Sequence, residues 1–173
     1  MTKIYYGVRL LVFTAIAILI GVFSHPLLEY LHFLVGGVML IYGVEGILFA
    51  SYRARKNVLQ EYQFYLGMIE LLFGLVMTTT IRDFNNICII WATWTIVRES
   101  FELYETSHKF FHRFPAILSL VLSGIEIVFS VMLLLFASEH HALTHIYLLV
   151  PEFIINGLSP FLFELFKSRH HQE

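Results

Sequence analysis

Residues 67–74 have the sequence Gly67-Met68-Ile69-Glu70-Leu71-Leu72-Phe73-Gly74, in which two glycines seven residues apart flank one glutamate within an apolar run. The same arrangement returns without a gap at Ser123-Gly124-Ile125-Glu126-Ile127-Val128-Phe129-Ser130. Small residues seven apart form one narrow stripe along a helix, where two backbones can approach closely. Each glutamate follows the first small residue by three positions, so it lies beside the stripe and faces a neighbouring helix. Both segments therefore predict packed helices that carry a carboxylate inside an apolar layer.

Apolar residues occur in blocks long enough to cross a membrane. The six blocks cover residues 8–23, 31–51, 64–80, 86–104, 114–136 and 145–166. Hydrophobic residues make up 58 % of the 173-residue chain and charged residues 14 %, against about 25 % charged residues in a soluble domain. The predicted fold class is therefore all-α, a polytopic membrane protein with six transmembrane helices in a single domain over residues 1–173.

Glutamate and small residues recur in register along the chain, which predicts three two-helix hairpin repeats. The repeats cover residues 1–56, 57–109 and 110–173. In the even-numbered spans a polar residue followed by a small one occupies equivalent positions, at Glu45-Gly46, Glu99-Ser100 and Asn156-Gly157. We expect helix packing along the small-residue stripes to involve Gly36, Gly43, Gly67, Gly74, Ser123 and Ser130.

Basic residues are distributed unequally between the two sides of these spans. Of the 11 lysines and arginines, Arg82 falls on one side and Arg98 within the fourth span, and the remainder fall on the other side. Cytoplasmic loops carry an excess of Lys and Arg. The sequence therefore predicts a protein of the bacterial cytoplasmic (inner) membrane with its N- and C-termini in the cytoplasm.

Ionisable residues inside the predicted spans are the main functional signal. A charge at the centre of a membrane helix costs about 2.5–3.5 kcal/mol, so such residues usually serve a function. The predicted polar core, which would handle protons or cations, consists of Glu45, Glu70, Arg98, Glu99, Glu126 and Asn156. The alternative is that these residues are structural and connect helices through polar contacts.

The sixth span contains two prolines and a further glutamate. Pro151 and Pro160 bracket Asn156-Gly157, which predicts either a kink or an interruption of the helix. Glu152 follows Pro151 near the outer surface, and we assign it a structural role.

The recurrent segment Gly36-Gly37-Val38-Met39-Leu40-Ile41-Tyr42-Gly43-Val44-Glu45-Gly46-Ile47, placed in three hairpins, resembles the HdeD-like family of small bacterial acid-resistance membrane proteins. The similarity extends over nearly the whole chain and concerns a pattern of repeats. It implies a six-span inner-membrane protein that acts in acid stress.

Enzyme motifs are not found in the sequence, which contains no nucleophile elbow, H-E-x-x-H, P-loop or dinucleotide fingerprint. We therefore predict no catalytic residue, no metal site, no cofactor and no enzymatic activity. Cys88 is the single cysteine, which excludes an internal disulfide. The net charge of −2 gives no indication of nucleic acid as a partner.

The expected partners are the lipid bilayer, a proton, cation or small solute, and a second copy of the chain in a homo-oligomer. Two alternatives to an acid-stress protein stay open at this point. One is a small-solute transporter or substrate-binding membrane subunit. The other is a membrane scaffold or regulator that acts through helix contacts.

Overall fold

The computed structural model describes residues 2–53, 61–110 and 114–169, and over these residues the chain is helical with no strand. The six helices are α1 (Thr2–Glu29), α2 (Leu31–Arg53), α3 (Tyr62–Thr79), α4 (Phe84–Phe110), α5 (Phe114–Leu135) and α6 (Glu139–Arg169). An all-α fold with six helices is thereby confirmed for this part of the chain. Arg55, Lys56 and Arg113, which contribute to the orientation prediction, lie outside the described residues.

Helices α4 and α6 extend well beyond the apolar blocks that predict them. The fourth block covers residues 86–104, whereas α4 runs from Phe84 to Phe110. The sixth covers residues 145–166, whereas α6 runs from Glu139 to Arg169. Helix ends tolerate polar residues that an apolar block leaves out, and these extra turns change which residues lie at the middle of each helix.

The prolines of α1 and α6 differ in their effects: α1 is kinked before its proline, whereas α6 continues through both of its prolines. The sequence predicts a break after residue 23, but α1 continues through Pro26 to Glu29 with one departure from helical geometry at Phe23 (φ −106°, ψ 19°). Proline lacks an N–H and its ring crowds the preceding turn, which accounts for a kink at this point. The longer α6 remains helical through Pro151 and Pro160, so the structure shows no interruption at Asn156-Gly157.

The chain forms two compact units. One contains residues 1–28 and 89–173, and the other contains residues 29–88. The first unit therefore includes most of α1 and α4 together with α5 and α6, and we call it the four-helix unit. The second consists of α2, α3 and the beginning of α4, and we call it the α2–α3 unit. The unit boundaries differ from those of the three predicted repeats, which remain a prediction about the sequence.

In the α2–α3 unit, glycines bring two antiparallel backbones into direct contact. A Cβ atom added at Gly43 would lie 2.8 Å from the carbonyl oxygen of Gly67, and one added at Gly67 would lie 2.7 Å from that of Gly43. The same contact recurs two turns away, where a Cβ at Gly36 would lie 2.9 Å from the Gly74 carbonyl oxygen. Because a real Cβ does not approach a backbone oxygen this closely, these glycines set the separation of the two helices.

In the four-helix unit, α1 and α6 pack antiparallel. The hydroxyl of Ser24 donates a hydrogen bond to the Tyr147 hydroxyl at 3.3 Å. The rings of Phe13 and Phe153 meet edge to face with centroids 5.2 Å apart. Beyond this pair, a Cβ added at Gly157 would lie 3.2 Å from the Phe13 Cβ. Gly21 and Gly7 of α1 also face α6, since a Cβ added there would lie 3.7 Å from Val150 and 3.9 Å from Phe161. Aromatic packing and glycine contacts therefore hold α6 against α1 together.

Two helical segments are long and apolar enough to cross a membrane, namely Tyr5–Glu29 and Leu31–Ser51. The segments Gln63–Thr79 and Leu120–Leu135 are shorter apolar helices. Core helices of soluble proteins and N-terminal signal sequences have similar length and composition. Length and composition therefore give weak support for insertion into a membrane and do not establish six spans.

The glycine contacts of the α2–α3 unit predict that Gly67→Ala destabilises the protein, whereas Gly37→Ala does not. A Cβ at Gly67 meets backbone, so the helices must separate, at an expected loss of about 1–3 kcal/mol in the free energy of unfolding. A Cβ at Gly37 has no atom within 4 Å, and alanine is the better helix former. Unfolding in mixed micelles, followed by circular dichroism, measures both variants. Equal stability of the two variants would contradict the packing described above.

Candidate functional site

Three glutamates from three different helices converge inside the four-helix unit. Glu99 of α4, Glu126 of α5 and Glu152 of α6 each place one carboxylate oxygen within 4.8 Å of the others. Their exposed fractions are 2 %, 2 % and 4 %, so all three are buried. We call these three residues the carboxylate cluster.

Two contacts between α4 and α6 fix the position of the cluster. The rings of Trp91 and His145 have centroids 5.0 Å apart, and Arg98 Nε lies 4.0 Å from a carboxylate oxygen of Glu152. From the first contact to the second, α4 advances by seven residues and α6 also advances by seven residues. The two helices therefore run parallel. Seven residues are almost two turns, so each helix presents both of its residues on one face.

The fifth helix approaches the same face of α6 in the opposite direction. Ser130 Oγ and His145 Nε2 form a hydrogen bond of 3.1 Å. Glu126, one turn earlier on α5, lies beside Glu152, which is later on α6. A connection from Leu135 to Glu139 is short enough to require an antiparallel hairpin. Glu126 precedes Ser130 along α5, whereas their partners on α6 follow in the opposite order, with His145 before Glu152. This is the order that an antiparallel pair requires.

One positive charge lies beside the cluster. Arg98 Nε is 3.7 Å from Glu99 Oε1 and 4.0 Å from Glu152 Oε1. Its guanidinium carbon lies 5.6 Å from the centroid of the Trp94 ring, within reach of a cation–π interaction. Three ionised carboxylates and one guanidinium would leave two uncompensated negative charges. Such charges are strongly unfavourable in a buried site, so protons or a cation must neutralise them.

Several buried oxygens at the cluster have no hydrogen-bond partner within the described part of the chain. They are Thr95 Oγ1, Glu99 Oε1 and Glu126 Oε1. The 3.7 Å from Glu99 Oε1 to Arg98 is an ion-pair distance and is too long for a hydrogen bond. Thr95 lies one turn before Glu99, on the same face of α4. An unpartnered buried oxygen is unfavourable unless another group occupies the space beside it.

A second polar layer lies two turns before Glu152 on α6, at a distance of about 10 Å along the helix axis. It consists of His145, which hydrogen bonds to Ser130 and packs against Trp91. All three residues are buried. Both predicted packing serines of α5 are in this unit, since Ser123 is also buried and lies one turn before Glu126.

The predicted core residues fall in both units. Arg98, Glu99 and Glu126 come together, and Asn156 is half-buried one turn after Glu152 on α6. Glu45 and Glu70 belong to the α2–α3 unit, in which Glu45 is half-buried and Glu70 is buried. Both have interactions in the structure.

The structure places Glu152 in the cluster, although the sequence suggested a structural role for it near the outer surface. With the predicted orientation, the apolar blocks put Glu99 in the cytoplasmic third of the fourth span and Glu152 in the outer half of the sixth span. The longer α4 and α6 bring both residues to the middle of their helices. The shared seven-residue step from Trp91 to Arg98 and from His145 to Glu152 is the sequence signal that would have revealed the pairing.

Comparison with family models, with curated proteins and with solved structures finds no match for this chain. The chemistry of the site is therefore argued from its own atoms. Carboxylates take up protons when they are desolvated or crowded by like charge. They also bind hard cations through oxygen. The cluster is equipped for either reaction.

The charge balance of the cluster predicts that Arg98→Gln is destabilising and that the loss depends on pH. Removal of the guanidinium leaves only negative charges, and at about pH 8 we expect a loss of about 3–5 kcal/mol in the free energy of unfolding. Protons can take the place of the lost positive charge at about pH 5, so we expect a smaller loss there and a stability that falls as the pH rises. Unfolding in mixed micelles at both pH values measures the effect.

Arg82→Gln is the matched control, since Arg82 is exposed at the α3–α4 connection. It should change stability little at either pH. An equal loss for Arg98→Gln at both pH values would show that Arg98 contributes through packing and not through its charge.

Proposed function

We propose that this chain is a six-span protein of the bacterial cytoplasmic membrane whose carboxylate cluster takes up and releases protons or cations. One observation carries the proposal, namely three buried carboxylates on three helices with a single guanidinium beside them. Because the charges do not balance, the occupancy of the site by protons or cations must depend on the concentrations of these ions. The cluster thereby links the packing of three helices to acidity.

The outward faces of the helices support a location in the membrane. On α5 the residues Val121, Val128 and Leu135 follow one another at intervals of seven and are all exposed, Leu135 by 67 %. On α1, Leu11 is 72 % exposed and Ile18 lies on the same face. Soluble helices carry polar residues on such faces. Here large apolar side chains point outward and carboxylates point inward, which suits a helix bundle surrounded by lipid.

Acid stress is the physiological setting that this chemistry fits. Proton binding removes the charge of a buried carboxylate, so acidity is a variable to which such a cluster can respond. A change of charge alters the contacts among α4, α5 and α6, because each of these helices contributes one carboxylate to the cluster. We therefore propose a non-catalytic acid-stress protein, in keeping with the similarity of the repeats to the HdeD-like family.

The proposed topology places both termini in the cytoplasm and the α3–α4 and α5–α6 connections outside. Asp83→Cys and Ser138→Cys add one cysteine to each of these connections, and Cys88, the native thiol, is buried. We expect a membrane-impermeant maleimide to label both variants in intact cells, and wild-type protein to remain unlabelled. Labelling that requires disrupted cells would reverse the orientation.

Proton uptake by the cluster is tested by infrared difference spectroscopy of the purified protein from about pH 4 to about pH 9. We expect a protonated carboxyl band that changes with pH and is lost or reduced in Glu126→Gln. The variant Glu139→Gln is the control, because Glu139 is exposed at the beginning of α6. Carboxylates that remain ionised throughout, or a band that never titrates, would mean that the glutamates are structural.

A further inference from the structure

We propose that the carboxylate cluster is a site for a hard divalent cation of the size of Ca²⁺. This inference rests on the proposed function, because it specifies the ion that the same site takes. It also departs from the sequence, which predicts no metal site.

The spacing of the oxygens fits such an ion. Three oxygens within 4.8 Å of one another leave a point that is at most about 2.8 Å from each, close to the 2.3–2.6 Å of Ca²⁺–oxygen bonds. Mg²⁺ gives up its waters reluctantly and usually keeps several of them, whereas all three glutamates are buried. A dry site formed by protein oxygens therefore favours the larger ion.

The donors are of one chemical kind. Glu99, Glu126 and Glu152 offer only carboxylate oxygens, which prefer hard cations over softer ones such as Cu⁺. The nearest imidazole of the second layer, on His145, is bound through Nε2 to Ser130. Ions that prefer nitrogen or sulfur ligands are therefore poorly served at this position.

Unpartnered oxygens are a separate indication of a ligand. Glu126 is 2 % exposed, yet its Oε1 is buried with no hydrogen-bond partner in the described part of the chain. Thr95 is 4 % exposed, and its Oγ1 is in the same condition. A glutamate on a helix bends back over the preceding turn, so the Glu99 carboxylate shares a face with the Thr95 hydroxyl. A cation among the carboxylates would use these oxygens.

Charge determines the stoichiometry. Glu126 interacts electrostatically with Glu152, Glu99, Arg98 and Glu102, and of these only Arg98 is positive. The cluster and Arg98 together carry two negative charges when all three carboxylates are ionised. One divalent cation or two protons neutralise them equally, whereas one monovalent cation does not. Glu102 is half-buried and is not a member of the cluster, so its charge lies outside this count.

The test uses purified full-length protein in detergent, titrated with CaCl₂ in weak buffer that contains a pH-indicator dye. We expect Ca²⁺ to bind with release of about two protons, and its affinity to rise by up to about 100-fold per pH unit while both protons are bound. MgCl₂ should bind more weakly. Glu126→Gln should abolish both signals, and the exposed-site control Glu139→Gln should keep them.

The outcomes separate this inference from the proposed function. A titrating carboxyl band together with no response to CaCl₂ would overturn the cation site and leave proton uptake in place. Ca²⁺ binding that survives in Glu126→Gln would locate the ion elsewhere and also overturn the inference. If Glu126→Gln does not fold, Thr95→Val is the second variant, because it removes a hydroxyl with little change of shape. We expect Thr95→Val to weaken Ca²⁺ binding, and an unchanged Ca²⁺ affinity in this variant would reject the site.

Discussion

The constraint on which the four-helix unit depends is the neutralisation of buried charge. Glu99, Glu126 and Glu152 come from three helices, and the guanidinium of Arg98 lies within ion-pair distance of Glu99 and Glu152. Helices α4, α5 and α6 can approach as closely as they do only when the carboxylates are compensated. The packing of this unit and the occupancy of its site are therefore coupled in one equilibrium.

Each of the two units is stabilised internally by a different kind of contact. In the α2–α3 unit, Gly36, Gly43, Gly67 and Gly74 let two backbones touch, and shape alone sets the separation. In the four-helix unit, side chains occupy the interior: an aromatic pair between α1 and α6, and polar layers among α4, α5 and α6. The glycine contacts of the first arrangement involve backbone and apolar atoms, so they do not themselves depend on pH or ions. The carboxylate cluster of the second arrangement carries charge, so its packing is coupled to both.

The sequence predicts much of the fold, because helices of this kind need long apolar blocks and those blocks are visible directly. The glycine spacing likewise indicates which faces of α2 and α3 meet. The site is predicted only in part, since Arg98, Glu99 and Glu126 are visible as charges in apolar surroundings but Glu152 is not. Its place depends on where α4 and α6 begin and on how far one is shifted along the other. Those quantities are set by contacts between distant segments, and apolar blocks carry no information about them.

The parallel contact between α4 and α6 has a consequence for alignment. Two side-chain contacts define it, and they differ in chemistry: Trp91 packs against the His145 imidazole, and Arg98 forms an ion pair with Glu152. A shift of one helix along the other by one turn would break both contacts at once. A shift by two turns would place the guanidinium against the imidazole, or the indole against the carboxylate. No intermediate shift restores either contact. The helices therefore have one alignment in which both contacts form, and the difference in chemistry between the two contacts disfavours every other alignment.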